Sequence, residues 1–510
     1  MNQLKILFFL VVFLPVFSYG QVRAKNAVTD EILVKFRPGT SADVSQRINS
    51  KNSGVVLERL ADLGWQRIKL PAGKPADSAI AAYLASSQVE AAQPNYYYHL
   101  LLTPNDTNYG SLWGMAKISA PQAWDLNTGS SSVVVANIDT GVRYDHEDLA
   151  ANMWTNSGEI NNNGLDDDNN GFIDDYYGYD FFFNDSNPLD EHGHGTHTSG
   201  TIGAAGNNSK GVVGVNWNVK IMAIKIYNSS GLGTTSAMLI NAYNYIRIMK
   251  LRGVNIRVTN NSYGGCDEAC GFDQATKDAI DALGNAGVLQ VFAAGNDGAN
   301  IDTNPSYPAA YNSPWIISVA NSTSSDTRNG SSNFGIANVD LAAPGTMILS
   351  TLNGSTASYG NLSGTSMSAP HVTGAAALLA SHNPSLSSAS LKATLLNTVD
   401  QLAAWNGIVK TGGRLNVFQA LQNQTVCGFN MPNSPITVPT KGGYFTVNVT
   451  AGTNCDYQAR SNAGWIRLVS PDSLSGNGTV TFRVTLNPTI TRSGTVNIAG
   501  TQITVNQSRN

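Results

Sequence analysis

Five short, mostly apolar runs set the tightest limit on how this chain can fold: residues 133–138, 219–226, 256–259, 288–293 and 315–319. Runs this short and this apolar read as strands covered on both faces. Helical patterns at 235–251 and 273–286 lie between them. Strands alternating with helices predict an α/β fold, a mostly parallel sheet with helices on both faces. In such sheets functional groups gather at the carboxyl ends of the strands.

A chain of 510 residues has room for more than this one domain. Residues 1–20 carry Lys5, an apolar stretch at 6–17 and then Ser18-Tyr19-Gly20, the pattern of a secretory signal peptide. An uncleaved anchor is the competing reading, but the stretch is short for a membrane span. Residues 21–103 read as a small α+β unit. It has a strand at 31–36 closed by Pro38-Gly39, helical patterns at 41–50 and 76–86, and ends near Gln93-Pro94-Asn95-Tyr96-Tyr97-Tyr98. The α/β domain takes 104–424. From 425 to 510 the helical signal vanishes, and short strands at 445–449, 465–469, 480–485, 495–498 and 502–505 predict a small β-sandwich domain.

The net charge is −4 and there is no long basic run, which argues against a nucleic-acid footprint. Export makes the four cysteines readable. Cys266 with Cys270 and Cys427 with Cys455 are the natural disulfide pairs in an oxidising compartment, with free buried thiols as the alternative. Neither pair has the spacing of a four-ligand zinc site.

Amide hydrolysis needs a nucleophile, a base, a group that orients the base, and donors for the oxyanion. The chain offers a candidate for each. Ser366, in Gly364-Thr365-Ser366-Met367-Ser368, enters an apolar small-residue helix, where its N–H would sit at the positive end of the dipole. An N-cap serine explains the same segment. His194, in His192-Gly193-His194-Gly195-Thr196-His197, suits a base that is neutral near pH 7. The glycines and the lack of a His-Glu-x-x-His pattern argue against zinc. Asp139 ends the run at 133–138, where a carboxylate needs a partner such as an imidazole. Capping of the next turn is the alternative. Asn296, in Ala293-Ala294-Gly295-Asn296-Asp297-Gly298, could supply an oxyanion donor or be a turn residue beside glycine.

In this order these motifs resemble the subtilisin-like serine proteases, over roughly 320 residues. The resemblance implies that Asp139 orients His194, that His194 is the general base, that Ser366 attacks, and that Asn296 stabilises the oxyanion. It implies a secreted endopeptidase acting through an acyl-enzyme. Ser262, Tyr263 and Gly264 would then line the groove and pair with substrate as an added strand. Ala293, Ala294 and Gly295 would form the opposite wall, with Ser306 at the base of an uncharged pocket for a neutral, fairly large side chain. The unit at 21–103 resembles the inhibitory propeptides of that family, a transient inhibitor removed by self-cleavage between Tyr98 and Thr107. Residues 425–510 resemble the BACON-type bacterial modules, which implies a glycan or glycoprotein partner, with Trp465 either stacking on sugar or lying in the core. An inactive, protease-shaped adhesin is the alternative function. A serine hydrolase of the α/β-hydrolase type would want Gly-x-Ser-x-Gly and the nucleophile first in the chain.

The insertion between Asp139 and His194 departs from the family's compact members. Asp166, Asp168, Asn170, Phe172 and Asp174 fall at positions 1, 3, 5, 7 and 9 of a calcium-binding EF-hand loop. Position 12 is Tyr177, so the bidentate acid is missing. Calcium in an incomplete loop is the favoured reading, because crowded carboxylates repel one another without a cation. A solvated acidic loop is the other reading.

Overall fold

The computed structural model describes residues 27–97, 102–264, 272–432, 434–487 and 490–508. The signal-peptide reading, Tyr98 and the Cys266–Cys270 pair lie outside the described residues. The chain forms two units, residues 1–100 and 101–510.

The first unit comprises β1 (Ala27–Phe36), α1 (Ala42–Lys51), β2 (Val55–Leu60), β3 (Trp65–Lys69), α2 (Ala76–Leu84) and β4 (Val89–Tyr96). Its strands form one antiparallel sheet in the order β2-β3-β1-β4. Alternate residues of β1, namely Ile32, Val34 and Phe36, point one way and pack with Ala79 and Tyr83 of α2.

The second unit opens with α3 (Trp113–Lys117) and α4 (Ala120–Trp124), followed by β5 (Gly129–Asp139) and β6 (Gly178–Asp180). Next come α5 (His194–Gly203), β7 (Asn218–Lys225), α6 (Ser236–Leu251), β8 (Ile256–Asn261), α7 (Gln274–Asn285), β9 (Leu289–Ala293) and β10 (Ile316–Ser322). Then follow β11 (Leu341–Pro344), the hairpin β12 (Ile348–Leu352) and β13 (Ser358–Leu362), α8 (Thr365–His382), α9 (Ser388–Asn397), β14 (Asp400–Gln401), β15 (Gly413–Arg414) and α10 (Val417–Gln422). Nine strands form one sheet in the order β14-β15-β11-β10-β9-β8-β5-β7-β6. Every pair in it is parallel except β14 with β15. All five apolar runs are strands of this sheet.

The parity of β5 sorts its two faces. Val133 and Val135 join the core that contains α5 and α8, whereas Val134, Ala136 and Ile138 join the core of α6 and α7. Helix α8 is buried along nearly its whole length, and its small residues allow that. A Cβ on Gly374 would stand 2.7 Å from Val215 Cβ.

The segment after 425 is a two-sheet sandwich. Its strands are β16 (Ile436–Val438), β17 (Gly443–Val449), β18 (Asp456–Ser461), β19 (Ile466–Leu468), β20 (Ser473–Ser475), β21 (Gly478–Val484), β22 (Arg492–Ile498) and β23 (Thr501–Gln507). They pair as β16-β23-β22-β18-β20 and β17-β21-β19. The sequence reading lacked β16, β18 and β20. Cys427 and Cys455 are bonded, as expected. The sandwich packs against the α/β domain, where Lys392 of α9 pairs with Asp456 at 2.7 Å, both side chains being buried. Trp465 is partly buried against the sandwich core, and the Arg492 guanidinium lies 4.2 Å from its ring. That ring is occupied by the protein itself, so it offers no observation for sugar stacking.

Candidate active site

Asp139 has the parity of Val133, Val135 and Asn137, so it leaves β5 on the face that carries α5. Asn137 ties the two elements together by donating to Gly195 O, Thr198 Oγ1 and Ser199 Oγ of α5. Gly195 permits this closeness, since a Cβ there would stand 2.1 Å from Gly141 O and 3.0 Å from Asp139 Cβ. As a result His194, the first residue of α5, donates from Nδ1 to Asp139 Oδ1 at 2.7 Å. The same oxygen accepts the Thr140 N–H, and Oδ2 accepts from Thr198 Oγ1. Asp139 is buried, while the His194 side chain keeps 23% of its surface.

Burial pulls the His194 imidazole down. The Asp139 carboxylate, by charge and hydrogen bond, and the charge of Asp190 outweigh that effect and leave the ring above its ordinary value of 6.5. Sequence reasoning missed Asp190. It is buried and accepts five hydrogen bonds, from Thr140 Oγ1, the N–H groups of His192, Gly193 and Thr196, and Thr196 Oγ1. It thereby shapes the turn that presents His194. The available signal was an Asp just ahead of a helix start.

Ser366 lies in the first turn of α8, after Gly364 at φ +152°. Its Oγ donates to Ser262 O at 3.2 Å, and Ser262 Oγ donates back to Ser366 O at 2.8 Å. Asn296 follows β9. Its Oδ1 accepts from the Thr365 N–H and Oγ1, so the amide's acceptor end is fixed on the start of α8. Its Nδ2 lies 3.4 Å from where a Cβ on Gly364 would stand, beside the start of α8.

Asp139, His194, Ser366 and Asn296 line one cavity of about 360 Å³ at the carboxyl ends of β5, β8 and β9. Ser262, Tyr263, Gly264, Ala293, Gly295 and Ser306 line it too. Ala294 does not: it is fully buried and packs in the core behind the wall. Gly295, at φ +102°, would bring a Cβ within 2.3 Å of Asn333 Nδ2. Tyr227, Ser230, Gly231, His192 and Asp297 also line the cavity and were not foreseen. Asp297 adds a second carboxylate, beside Asp139, to the cavity lining.

The acidic insertion folds differently from its linear pattern. Carboxylate oxygens of Glu159, Asp168 and Asp175 lie within 4.8 Å of one another. Asp166 instead accepts the Asn170 and Gly171 N–H groups, and Asp174 accepts those of Asn163 and Gly164. Those two close the loop on itself and do not join the cluster. Asn170 does reach it, donating to Asp168 and Asp175. The Phe172 ring packs against Tyr179, Phe181 and Tyr245. Burial pushes Asp175 up to about 6 despite hydrogen bonds from Tyr245, Asn156 and Asn170.

A parallel α/β sheet whose carboxyl edge gathers Asp, His, Ser and Asn in one cleft has the layout of a serine hydrolase. Comparison with known proteins narrows that class. The family model described as the subtilase family matches residues 130–427, and that of the fervidolysin N-terminal prodomain matches residues 16–95. Thermitase of Thermoactinomyces vulgaris is 37% identical over 321 residues, 63% of this chain and 99% of the relative. The thermophilic serine proteinase of Bacillus sp. strain AK1 is 31% identical over 395 residues, 77% of this chain and 88% of the relative. A solved protease structure from Pseudoalteromonas arctica covers 63% of this chain and 99% of its own, with TM-score 0.50 and 28% identity. The chain belongs to the subtilase family: it is a subtilisin-like serine endopeptidase with an N-terminal prodomain.

Proposed function

We propose that Ser366 is the nucleophile, His194 its general base and Asp139 the group that orients the base. The observation that carries this reading is the 2.7 Å Asp139–His194 hydrogen bond inside a cavity that Ser366 and Asn296 also line. Substrate displaces the Ser366 Oγ contact to Ser262 O, and the hydroxyl passes its proton to His194 Nε2 as it attacks the carbonyl. Asp139 keeps the proton of His194 on Nδ1, which leaves Nε2 free to accept. The tetrahedral oxyanion meets the Ser366 N–H at the start of α8 and the Asn296 Nδ2–H. Collapse expels the amine with the proton from His194, and water then cleaves the acyl-enzyme by the same steps in reverse. The chain bound in the cleft runs between Ser262–Gly264 and Ala293–Gly295. Asp297 at the wall disfavours an acidic side chain before the scissile bond.

The chain is further proposed to be secreted as a zymogen in which the first unit inhibits the protease until self-cleavage between Tyr98 and Thr107. Among the described residues no helix is long and apolar enough to cross a membrane. Calcium is proposed at Glu159, Asp168 and Asp175, with Asn170 beside them. The three clustered carboxylates offer oxygen donors suited to a hard cation, and their mutual repulsion is relieved when it binds.

The decisive experiment is Ser366→Ala. Casein cleavage should be lost and the intact mass should retain the prodomain. Maturation of the alanine variant without any other protease would overturn the assignment. No observation favours the adhesin alternative.

A further inference from the structure

We propose that the C-terminal sandwich braces the substrate cavity at Ser306 through Asp281, making Arg460 and Gln458 positioning residues for substrate binding. This rests on the cavity being the substrate cleft. Asp281, on α7, is fully buried, and its carboxylate gathers donors from three parts of the chain. Lys277 Nζ, from its own helix, lies at 2.9 Å. Ser313 Oγ, from the segment between β9 and β10, lies at 2.7 Å. Gln458 Nε2 and Arg460 NH2, from β18 of the sandwich, lie at 3.0 and 2.8 Å. Asn285 at the end of α7 also donates to Gln458 Oε1, and Lys277 reaches Asp472.

The segment carrying Ser313 leads directly to the cavity. Tyr311 OH donates to Asp273 O and accepts the Asp273 N–H, which pins the segment to the start of α7. The Tyr311 ring stacks on Tyr307 at 4.7 Å. Tyr307 O lies 3.4 Å from where a Gly264 Cβ would stand, and Ser306 and Gly264 both line the cavity. One buried carboxylate thus fixes α7, the 306–313 segment that reaches the cavity at Ser306, and the sandwich in a single arrangement. A buried carboxylate that loses donors must rearrange or admit water. Such a movement shifts that segment and leaves Asp139, His194 and Ser366, on β5, α5 and α8, where they are.

The test compares Arg460→Ala and Gln458→Leu in the full-length, matured protein on a peptide substrate that fills the cavity, with active sites titrated by a serine-directed covalent reagent. The Arg460 side chain is 42% exposed, so its removal is tolerated by the fold. KM should rise about fivefold, within the range of couplings transmitted through packed elements, while kcat per titrated site changes less than twofold. Arg460→Lys should recover part of the loss. Tyr444→Ala, on the exposed face of the other sheet, should change neither constant. An unchanged KM in both variants overturns the brace, as does a loss confined to kcat. Asp472→Ala, which loosens Lys277, is the second probe should Gln458→Leu not accumulate. Retained activity in Ser366→Ala would instead overturn the reading of the cleft, so the two failures are distinguishable.

Discussion

At the residue scale, one hydrogen bond sets the pH at which His194 can work. In the proposed mechanism the ring must be neutral to accept the Ser366 proton, and Asp139 holds its pKa above 6.5 against the pull of burial. The rising limb of kcat/KM against pH should therefore lie above 6.5. Asp139→Asn removes the charge that raises the ring. Its residual activity, lower by about 10⁴ on the scale known for triad carboxylates, should rise at a lower pH than that of the parent. A limb that stays put would mean that Asp139 does not tune this histidine. That Asp139, His194 and Ser366 meet in one cavity was legible because hydrolysis restricts residue type and the motifs around them are glycine-rich. Asp190 was not. Its five bonds go to backbone N–H groups and threonine hydroxyls, partners that follow from the turn's shape, so that its place just ahead of a helix start was the one trace in the sequence.

At the element scale, the loop between Asp139 and His194 separates what a linear pattern can tell from what it cannot. Spacing found the loop that holds the acidic cluster, because many acids in few residues are costly without a purpose. Of the carboxylates it selected, Asp168 joins the acidic cluster, whereas Asp166 and Asp174 accept the loop's own backbone N–H groups. Glu159 and Asp175 lie outside the pattern yet meet Asp168 in the fold. A cation bound only by the folded loop stabilises it by mass action. Excess chelator should lower the melting temperature of Ser366→Ala protein, which cannot digest itself during the scan. Asp175→Asn should lower the melting temperature on its own and abolish most of the chelator effect. The same chelator effect in Asp175→Asn as in the parent would place the ion elsewhere, and no effect in either would remove calcium from the proposal.

At the scale of the whole molecule, the sequence distinguishes the sandwich from the α/β domain by period, helical against alternating, but periodicity carries no information on docking. β18 was missed for that reason. Its residues Asp456, Gln458 and Arg460 are polar at alternate positions and face α7 and α9, so a strand with a polar inward face reads as a loop. The pair of Lys392 with Asp456 turns this into a test. Both side chains are more than nine-tenths buried and lie 2.7 Å apart. Removing one partner leaves an uncompensated charge, at a cost of about 3–5 kcal/mol, whereas replacing both with apolar residues of similar size is close to neutral. Asp456→Ala should therefore lower the denaturant midpoint in the Ser366→Ala background and split one unfolding transition into two, the sandwich detaching first. The double variant Lys392→Met with Asp456→Leu should restore the single transition and most of the midpoint. If Asp456→Ala unfolds like its parent, the docked arrangement does not hold in solution. If the double variant is as weak as the single, the loss comes from the sandwich's own folding and not from the stranded lysine of α9.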